Sequence, residues 1–255
     1  MHWQLVIISS KSRSKGEVRA GKAKVLLMFQ LINQPMLQPI NVLILGAGGH
    51  GQVVADIFLA SVRQETAAVR PIGFLDDNPA LQRRTILGLP VLGTMAQFAS
   101  IPHDAVIVAL DCNHTRQRIT QHLYARGEQL AVAIHPTAAI GADVMIGAGT
   151  IIGAGVVVNP GARIGLGVIL NSGCLVGHHN HIGHYVHVAP GARLGGKVQV
   201  EEGAFIGLGA LVTPQCLVGA WSMLEAGVVI TQSVPPHVVV SSVPTPFIFS
   251  KAFTR

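Results

Sequence analysis

From Ile134 to Ile230 every sixth residue is aliphatic: Ile134, Ile140, Ile146, Ile152, Val158, Ile164, Leu170, Val176, Ile182, Val188, Leu194, Val200, Ile206, Val212, Val218, Leu224 and Ile230. That is seventeen positions out of seventeen, without an insertion. The residue that follows is glycine nine times, as in Ile146-Gly147 and Ile182-Gly183. Two residues before each aliphatic one stands something small or β-branched, such as Val144, Thr150, Ala162, Cys174, Ala192 or Cys216. A fixed period overrides local preferences, and neither the strand period of about 2 nor the helix period of about 3.6 explains a strict six. A coil of three short strands does. Each six-residue side points one aliphatic residue inward, and the small residue lets the chain turn the corner. The ~98 residues then make between five and six coils.

Upstream, the pattern is βαβ. Asn41 to Leu45 is a short buried strand, followed by Gly46-Ala-Gly-Gly-His-Gly51 and an amphipathic helix through about Ala60. Ile72 to Leu75 is a second strand ending in Asp76-Asp77, Ala105 to Leu110 a third, and His114 to Arg126 a helix stopped by Gly127. Residues 131–135 lead into the repeat. The glycine cluster fits GxGxxG at Gly46, Gly48 and Gly51, where a tight turn lets the backbone approach a phosphate at a helix N-terminus. Asp76 and Asp77 stand at a strand end, where an acid accepts hydrogen bonds from ribose hydroxyls or a base edge. Only ~90 residues separate Asn41 from the repeat. That is one mononucleotide-binding half, so a single nucleotide with an attached group fits better than a dinucleotide. The alternative is a glycine-rich turn with no ligand.

The predicted organisation is therefore a poorly ordered extension over 1–40, a Rossmann-like half domain over 41–133, a β-helix over 134–233 and a tail over 234–255. Composition changes this picture little. With 49% hydrophobic and 12% charged residues the core is well supplied. The net charge of +6 hints at nucleic acid until it is located: Lys11, Arg13, Lys15, Arg19, Lys22 and Lys24 against Glu17 put +5 within residues 1–40, leaving +1 for the rest. The body has no nucleic-acid footprint. The extension has its charge after its first apolar patch, the wrong order for a secretory signal, and no stretch of ~20 apolar residues spans a membrane. Met36 lies five residues before the first convincing strand, so 1–40 reads as sequence upstream of a natural start; a basic membrane-surface arm is the alternative. Cys112, Cys174 and Cys216 form no CxxC pair, and two of them take the small inward position. Free thiols in a reducing cytoplasm are the default.

One coil is chemically distinct. Gly177 to His187 holds His178, His179, His181, His184 and His187, five of the twelve histidines. With Val176 and Ile182 inward, His178 and His179 lie on the exposed side. An exposed imidazole on a stable wall suits a general base. Zinc is the competing reading, but its ligands must converge within ~2.1 Å of one ion, and stacking at eighteen residues puts Pro160 and Gly196 on 178, Arg163 and Gln199 on 181, Ile169 and Phe205 on 187. No histidine stack exists, so no metal is expected. Plain solvated histidines account for His181 and His184.

The repeat resembles the hexapeptide repeat of left-handed parallel β-helices. Residues 41–246 as a whole resemble bacterial nucleotide-sugar acetyltransferases of the NeuD and PglD type. The resemblance rests on Gly46-Ala47-Gly48-Gly49-His50-Gly51, on Leu75-Asp76-Asp77, on Ala109 to Arg116, and on Asn171 to Val188 with His178 and His187. It implies a homotrimer that binds acetyl-CoA between neighbouring β-helices. It also implies His178 as the base, with His187, Gly196 and Leu208 at the acetyl-CoA. Gly48, Gly49, His50, Asp76, Asp77, Asn113 and Arg116 would bind the nucleotide sugar, with UDP favoured. Three departures stand out. His179 follows the base where Asp or Glu is usual, Asp111-Cys112 alters the third motif, and the C-terminal V-x-G-x-P-A turn reads Val240-Ser-Ser-Val-Pro-Thr245. The expected activity is acetyl transfer from acetyl-CoA to an amine or hydroxyl of a nucleotide-linked sugar for surface glycans. The alternatives are an inert structural β-helix and a zinc-dependent hydratase.

Overall fold

The computed structural model describes residues 39–65 and 69–241. Nearly all of the 1–40 extension, and the end of the tail, therefore lie outside the described residues.

The N-terminal domain is built on β1 (Ile40–Leu45), whose residues Val42 to Leu45 are buried on both sides. A strand paired in parallel on both edges reads as an unbroken apolar run. Its partners are β2 (Val69–Leu75) and β5 (Ala105–Val108). Beyond β2 lies a hairpin of β3 (Thr85–Ile86) and β4 (Leu89–Gly93), giving the order β3-β4-β2-β1-β5 with only β3 antiparallel. Helix α1 (Gly49–Arg63) packs Val54, Ile57 and Phe58 against Val42 and Ile44 on one face of the sheet. Helix α2 (Asn113–Ala125) packs Leu123 against Leu43, Leu45 and Val106 on the other. Helices on both faces make this a Rossmann-like half domain.

The period-six segment forms eighteen strands of two residues each, from Ala133–Ile134 to Val239–Val240. Ile169–Leu170, for example, pairs in parallel with Ile151–Ile152 on one side and His187–Val188 on the other, a stacking of eighteen residues. The strands stack into three sheets of a left-handed parallel β-helix. The first face runs from Ala133–Ile134 through His187–Val188 to Val239–Val240, the second from Ala139–Ile140 to Val229–Ile230, and the third from Met145–Ile146 to Leu217–Val218. Leu170, Val176, Val188, Leu194, Ile206 and Leu224 are fully buried inside, with Ala162, Cys174, Ala192 and Ala204 filling the corners. Asn180 takes such a corner fully buried, its Oδ1 accepting from the Val198 N–H at 2.8 Å. The ladder carries on through Val239–Val240, which pairs with Met223–Leu224.

On the first face the outward residues Ala133, Ile151 and Ile169 belong to the same apolar cluster as α1. The nucleotide-type domain therefore sits on this face, and its position decides which residues can meet.

Candidate active site

Each glycine of the turn after β1 has a separate job. Gly46 takes φ +107°, and a Cβ on Gly51 would lie 2.0 Å from the Gly46 carbonyl oxygen, so the turn closes only without side chains. Gly48 and Gly49 face open space, with nothing within 4 Å of a Cβ position. Gly48 caps α1 with no side-chain partner, and no acid stands in the first turn. Outward N–H groups at an uncrowded helix start suit a phosphate. Asp76 stands beside this turn with both oxygens engaged: Oδ2 accepts from Ala47 N–H at 2.7 Å and Oδ1 from Asn78 N–H at 2.8 Å. Asp77 Oδ1 accepts from Met95 N–H at 2.8 Å, at the start of a short 3-10 turn. Both acids thus shape the turn, and Asp77 is exposed.

Two residues that the resemblance assigns to the nucleotide sugar are spent on the fold instead. Arg116 is 0% exposed. Its Nε donates to Gly167 O, Nη1 to Leu110 O and Asp111 O, and Nη2 to Tyr185 O and Asn113 Oδ1, at 2.8–3.0 Å. A guanidinium has five N–H donors, and all five are used. Asn113 Nδ2 donates to Gly203 O and Ala204 O at 3.0 and 3.2 Å. Gly167, Tyr185 and Gly203 are eighteen residues apart, so α2 lies along the corner column between the third and first faces. His114 adds a stack on Trp221, with centroids 4.0 Å apart and 6° between planes. Arg116 and Asn113 are a clamp between domains, with no donor left for a substrate.

Above this clamp two histidines meet at the domain junction. His50, from the glycine turn, and His187, from the first face, have ring centroids 6.3 Å apart. His187 lies edge-on to Phe205 at 5.1 Å, and its Nε2 is 3.3 Å from Asn171 Nδ2. Burial, and then the Arg116 and His50 charges, lower the His187 pKa to about 4. Burial likewise lowers that of His50, against an opposing pull from Asp111. Among the described residues, buried His50 Nε2 and His187 Nδ1 make no close hydrogen bond, with the Asp111 backbone the nearest influence of that kind on His187. Both rings are therefore held toward the neutral form. Asn171, Phe205 and Asp111 were not singled out as site residues by sequence; the eighteen-residue stack places Phe205 beside His187, but nothing in the pattern places His50 there.

His178 is elsewhere. It is exposed, in the turn joining the second to the third face rather than on a strand, with Nε2 directly over Gly196. A Cβ on Gly196 would lie 2.4 Å from that nitrogen. Gly196 thus gives the ring its clearance. His178 Nδ1 contacts His179 Nδ1 at 3.1 Å. Leu208 is 57% exposed at the corner between first and second faces. His187, Leu208 and His178 therefore occupy three separate parts of the prism, and a single chain does not bring them together. Among the described residues no group of three or more His, Cys, Asp or Glu is placed to hold a metal, and no helix is long and apolar enough to cross a membrane. Cys174 and Cys216 are buried and Cys112 exposed, all as free thiols.

A phosphate-binding type of half domain seated on a left-handed β-helix with histidines on its turns defines a hexapeptide-repeat acyltransferase with its own nucleotide module. Residues 41–123 match the PglD N-terminal domain family and residues 129–215 the GMPPB C-terminal domain family. The chain is 31% identical over 152 residues to GDP-perosamine N-acetyltransferase of Escherichia coli O157:H7, covering 59% of this chain and 67% of that protein. The acetyltransferase domain of PglB from Neisseria gonorrhoeae FA1090, solved with acetyl coenzyme A, is 34% identical with a TM-score of 0.75, covering 81% of this chain and 98% of that one. A His-to-Asn mutant of perosamine N-acetyltransferase from Caulobacter crescentus, solved with CoA and GDP-perosamine, is 33% identical with a TM-score of 0.72, covering 80% of this chain and 94% of the other. The protein belongs to the PglD family of nucleotide-sugar acetyltransferases.

Proposed function

We propose that the protein transfers the acetyl group of acetyl-CoA to the amine of a nucleotide-linked amino sugar used in surface glycan assembly. Relatives that hold CoA, acetyl-CoA or GDP-perosamine support the two substrates, and the one with a mutated histidine is consistent with an imidazole at the chemical step. The observation that carries the reading is the open Gly48-Gly49 helix start paired, in one chain, with His178 exposed over Gly196. The diphosphate lies at the α1 N-terminus, Asp77 faces the nucleoside, and His178 Nε2 removes the amine proton as nitrogen attacks the thioester carbon. Collapse expels the CoA thiolate. Positioning and proton removal suffice for this reaction, and no metal step is needed to balance it.

The nucleotide module covers the first face, whereas His178 lies on the edge opposite that face. A sugar bound on one copy then reaches His178 of another, so we infer a homotrimer with sites between subunits. His187 and His50 belong to the copy that holds the nucleotide. Localisation in the cytoplasm, where acetyl-CoA and nucleotide sugars are made available, completes the reading.

A thiol-release assay with acetyl-CoA and a panel of GDP- and UDP-linked amino and hydroxy sugars tests it. Turnover is expected with an amino sugar, and His178→Ala is expected to lose roughly 10²–10⁴-fold in kcat. No turnover with any acceptor, and equal traces from His178→Ala, would favour an inert scaffold.

A further inference from the structure

The imidazoles of His178 and His179 contact each other through Nδ1 and Nδ1 at 3.1 Å, with centroids 5.3 Å apart and planes at 83°. A hydrogen bond between two ring nitrogens needs one N–H and one bare nitrogen, so two neutral rings in this contact hold opposite tautomers. We propose that His179 is a positioning residue, whose bare Nδ1 accepts from His178 Nδ1–H and so keeps His178 Nε2 bare, held over Gly196. The proposal rests on the acetyltransfer reading only for the role of His178 as base.

The backbone around the pair is held from both sides. Lys197 N–H donates to His178 O at 2.9 Å, and His179 N–H donates to Pro160 O at 3.0 Å. Both rings lie against glycines: a Cβ on Gly196 would meet His178 Nε2 at 2.4 Å, and one on Gly161 would meet His179 Cδ2 at 2.9 Å. His179 takes φ +56°, a left-handed conformation that costs a residue with a Cβ about 1 kcal/mol. That corner position carries positive φ in every neighbouring coil, at Asp143, Gly161, Lys197 and Gln215. The coil thus sets the backbone, and a ring nitrogen at position 179 meets His178.

The pair does chemical work without an added reactant. The amine nitrogen bonds to the thioester carbon, its proton goes to His178 Nε2, and the carbon–sulfur bond breaks. The thiolate then takes that proton from Nε2, returning His178 to its starting tautomer and releasing CoA as the thiol. Throughout, His178 Nδ1–H stays on His179 Nδ1, a bond that becomes charge-assisted while His178 is an imidazolium. The charged and titratable residues around this corner are Lys197 and Asp143 in its own column, Arg163 and His181 on the third face, and Arg193 on the second. Among the described residues the one carboxylate in this group, Asp143, stands two coils away beyond Gly161.

Nitrogen-15 NMR of the full chain, labelled at histidine and assigned with His178→Ala and His179→Ala, tests the tautomers directly near pH 8. His178 with Nδ1–H and bare Nε2, and His179 the reverse, is expected. Both rings as Nε2–H would overturn the proposal. In the assay, His179→Ala is expected to lower kcat roughly 10–100-fold with KM for the acceptor nearly unchanged. His179→Asn, whose Oδ1 accepts near the same point and which tolerates left-handed backbone, is expected to recover most of that loss. His179→Gly relieves the backbone and replaces the alanine variant if that one does not fold. Wild-type kcat in His179→Ala, or an asparagine variant no better than alanine, would overturn the positioning role. Absence of wild-type turnover with every acceptor counts against the acetyltransfer reading alone, because the NMR result judges the pair independently.

Discussion

A histidine is one letter, yet this chain uses the same side chain in three environments. His178 is exposed, His187 is 5% exposed against Phe205, and His50 is half-buried at the domain junction. Burial disfavours the charged form, so folding holds His187 neutral down to about pH 4. The unfolded chain binds that proton near pH 6.5. Between those values the unfolded state binds more protons, so stability is complete above about pH 6.5 and declines as pH falls toward about 4. The loss is on the order of 3 kcal/mol for His187, with His50 adding in the same direction. Urea unfolding followed at pH 7.5 and at lower pH checks this, and His187→Gln is expected to flatten the slope. Residue types were legible in sequence; their partners were not. The resemblance made Asn113 and Arg116 ligands because polar residues in a motif look alike whether they face a substrate or a backbone. Only the carbonyls of Leu110, Asp111, Gly167 and Tyr185 around Arg116 decide that it is a clamp.

At the scale of elements, the glycine turn and α2 carry opposite kinds of constraint. Gly51→Ala pushes a methyl to 2.0 Å from a backbone oxygen that cannot yield, so a loss of roughly 2–4 kcal/mol is expected. Gly49→Ala meets nothing within 4 Å and is expected to keep the melting temperature while weakening nucleotide binding. Thermal melts beside calorimetric titration with GDP and UDP separate the two. Arg116→Lys leaves at least two carbonyls without a donor in a fully buried site, and about 2–4 kcal/mol of destabilisation is expected. A denaturant midpoint measures it. Elements themselves were read well where apolar runs were long. β1, β2, β5 and both helices stand within a few residues of their predicted places. The β3–β4 hairpin was not visible, for a local reason: its two-residue turn has φ +50° at Leu87 and +79° at Gly88. Such turns are signalled by Asn-Gly or Asp-Gly, and leucine at the first position hides the signal.

For the whole molecule, the period of six separates inside from outside along the β-helix. Leu194→Ala empties a fully buried position and is expected to cost roughly 2–5 kcal/mol. Arg193→Ala next to it, on the exposed side, is expected to change the unfolding midpoint little. The inferred division of the site between copies has a sharper test. His178→Ala and Gly49→Glu are each expected to be inactive alone. Mixed trimers join an intact nucleotide turn from one parent to an intact His178 from the other, and about a quarter of wild-type turnover should return at equal mixing. Mixtures no more active than either parent would place the site within one copy.

By itself the sequence determined the β-helix, because an aliphatic residue at every sixth position turns inward only in a coil of three short sides. It also determined the half-domain before it and the histidine-bearing coil, since composition and spacing are local. Tertiary structure decided what those side chains face. Docking of α1 on Ile151 and Ile169 puts His50 beside His187 and leaves His178 on the opposite edge. The turn at residue 179 sets one imidazole against another. Those contacts join residues across a domain boundary or depend on a left-handed corner, and no periodicity along the chain encodes either.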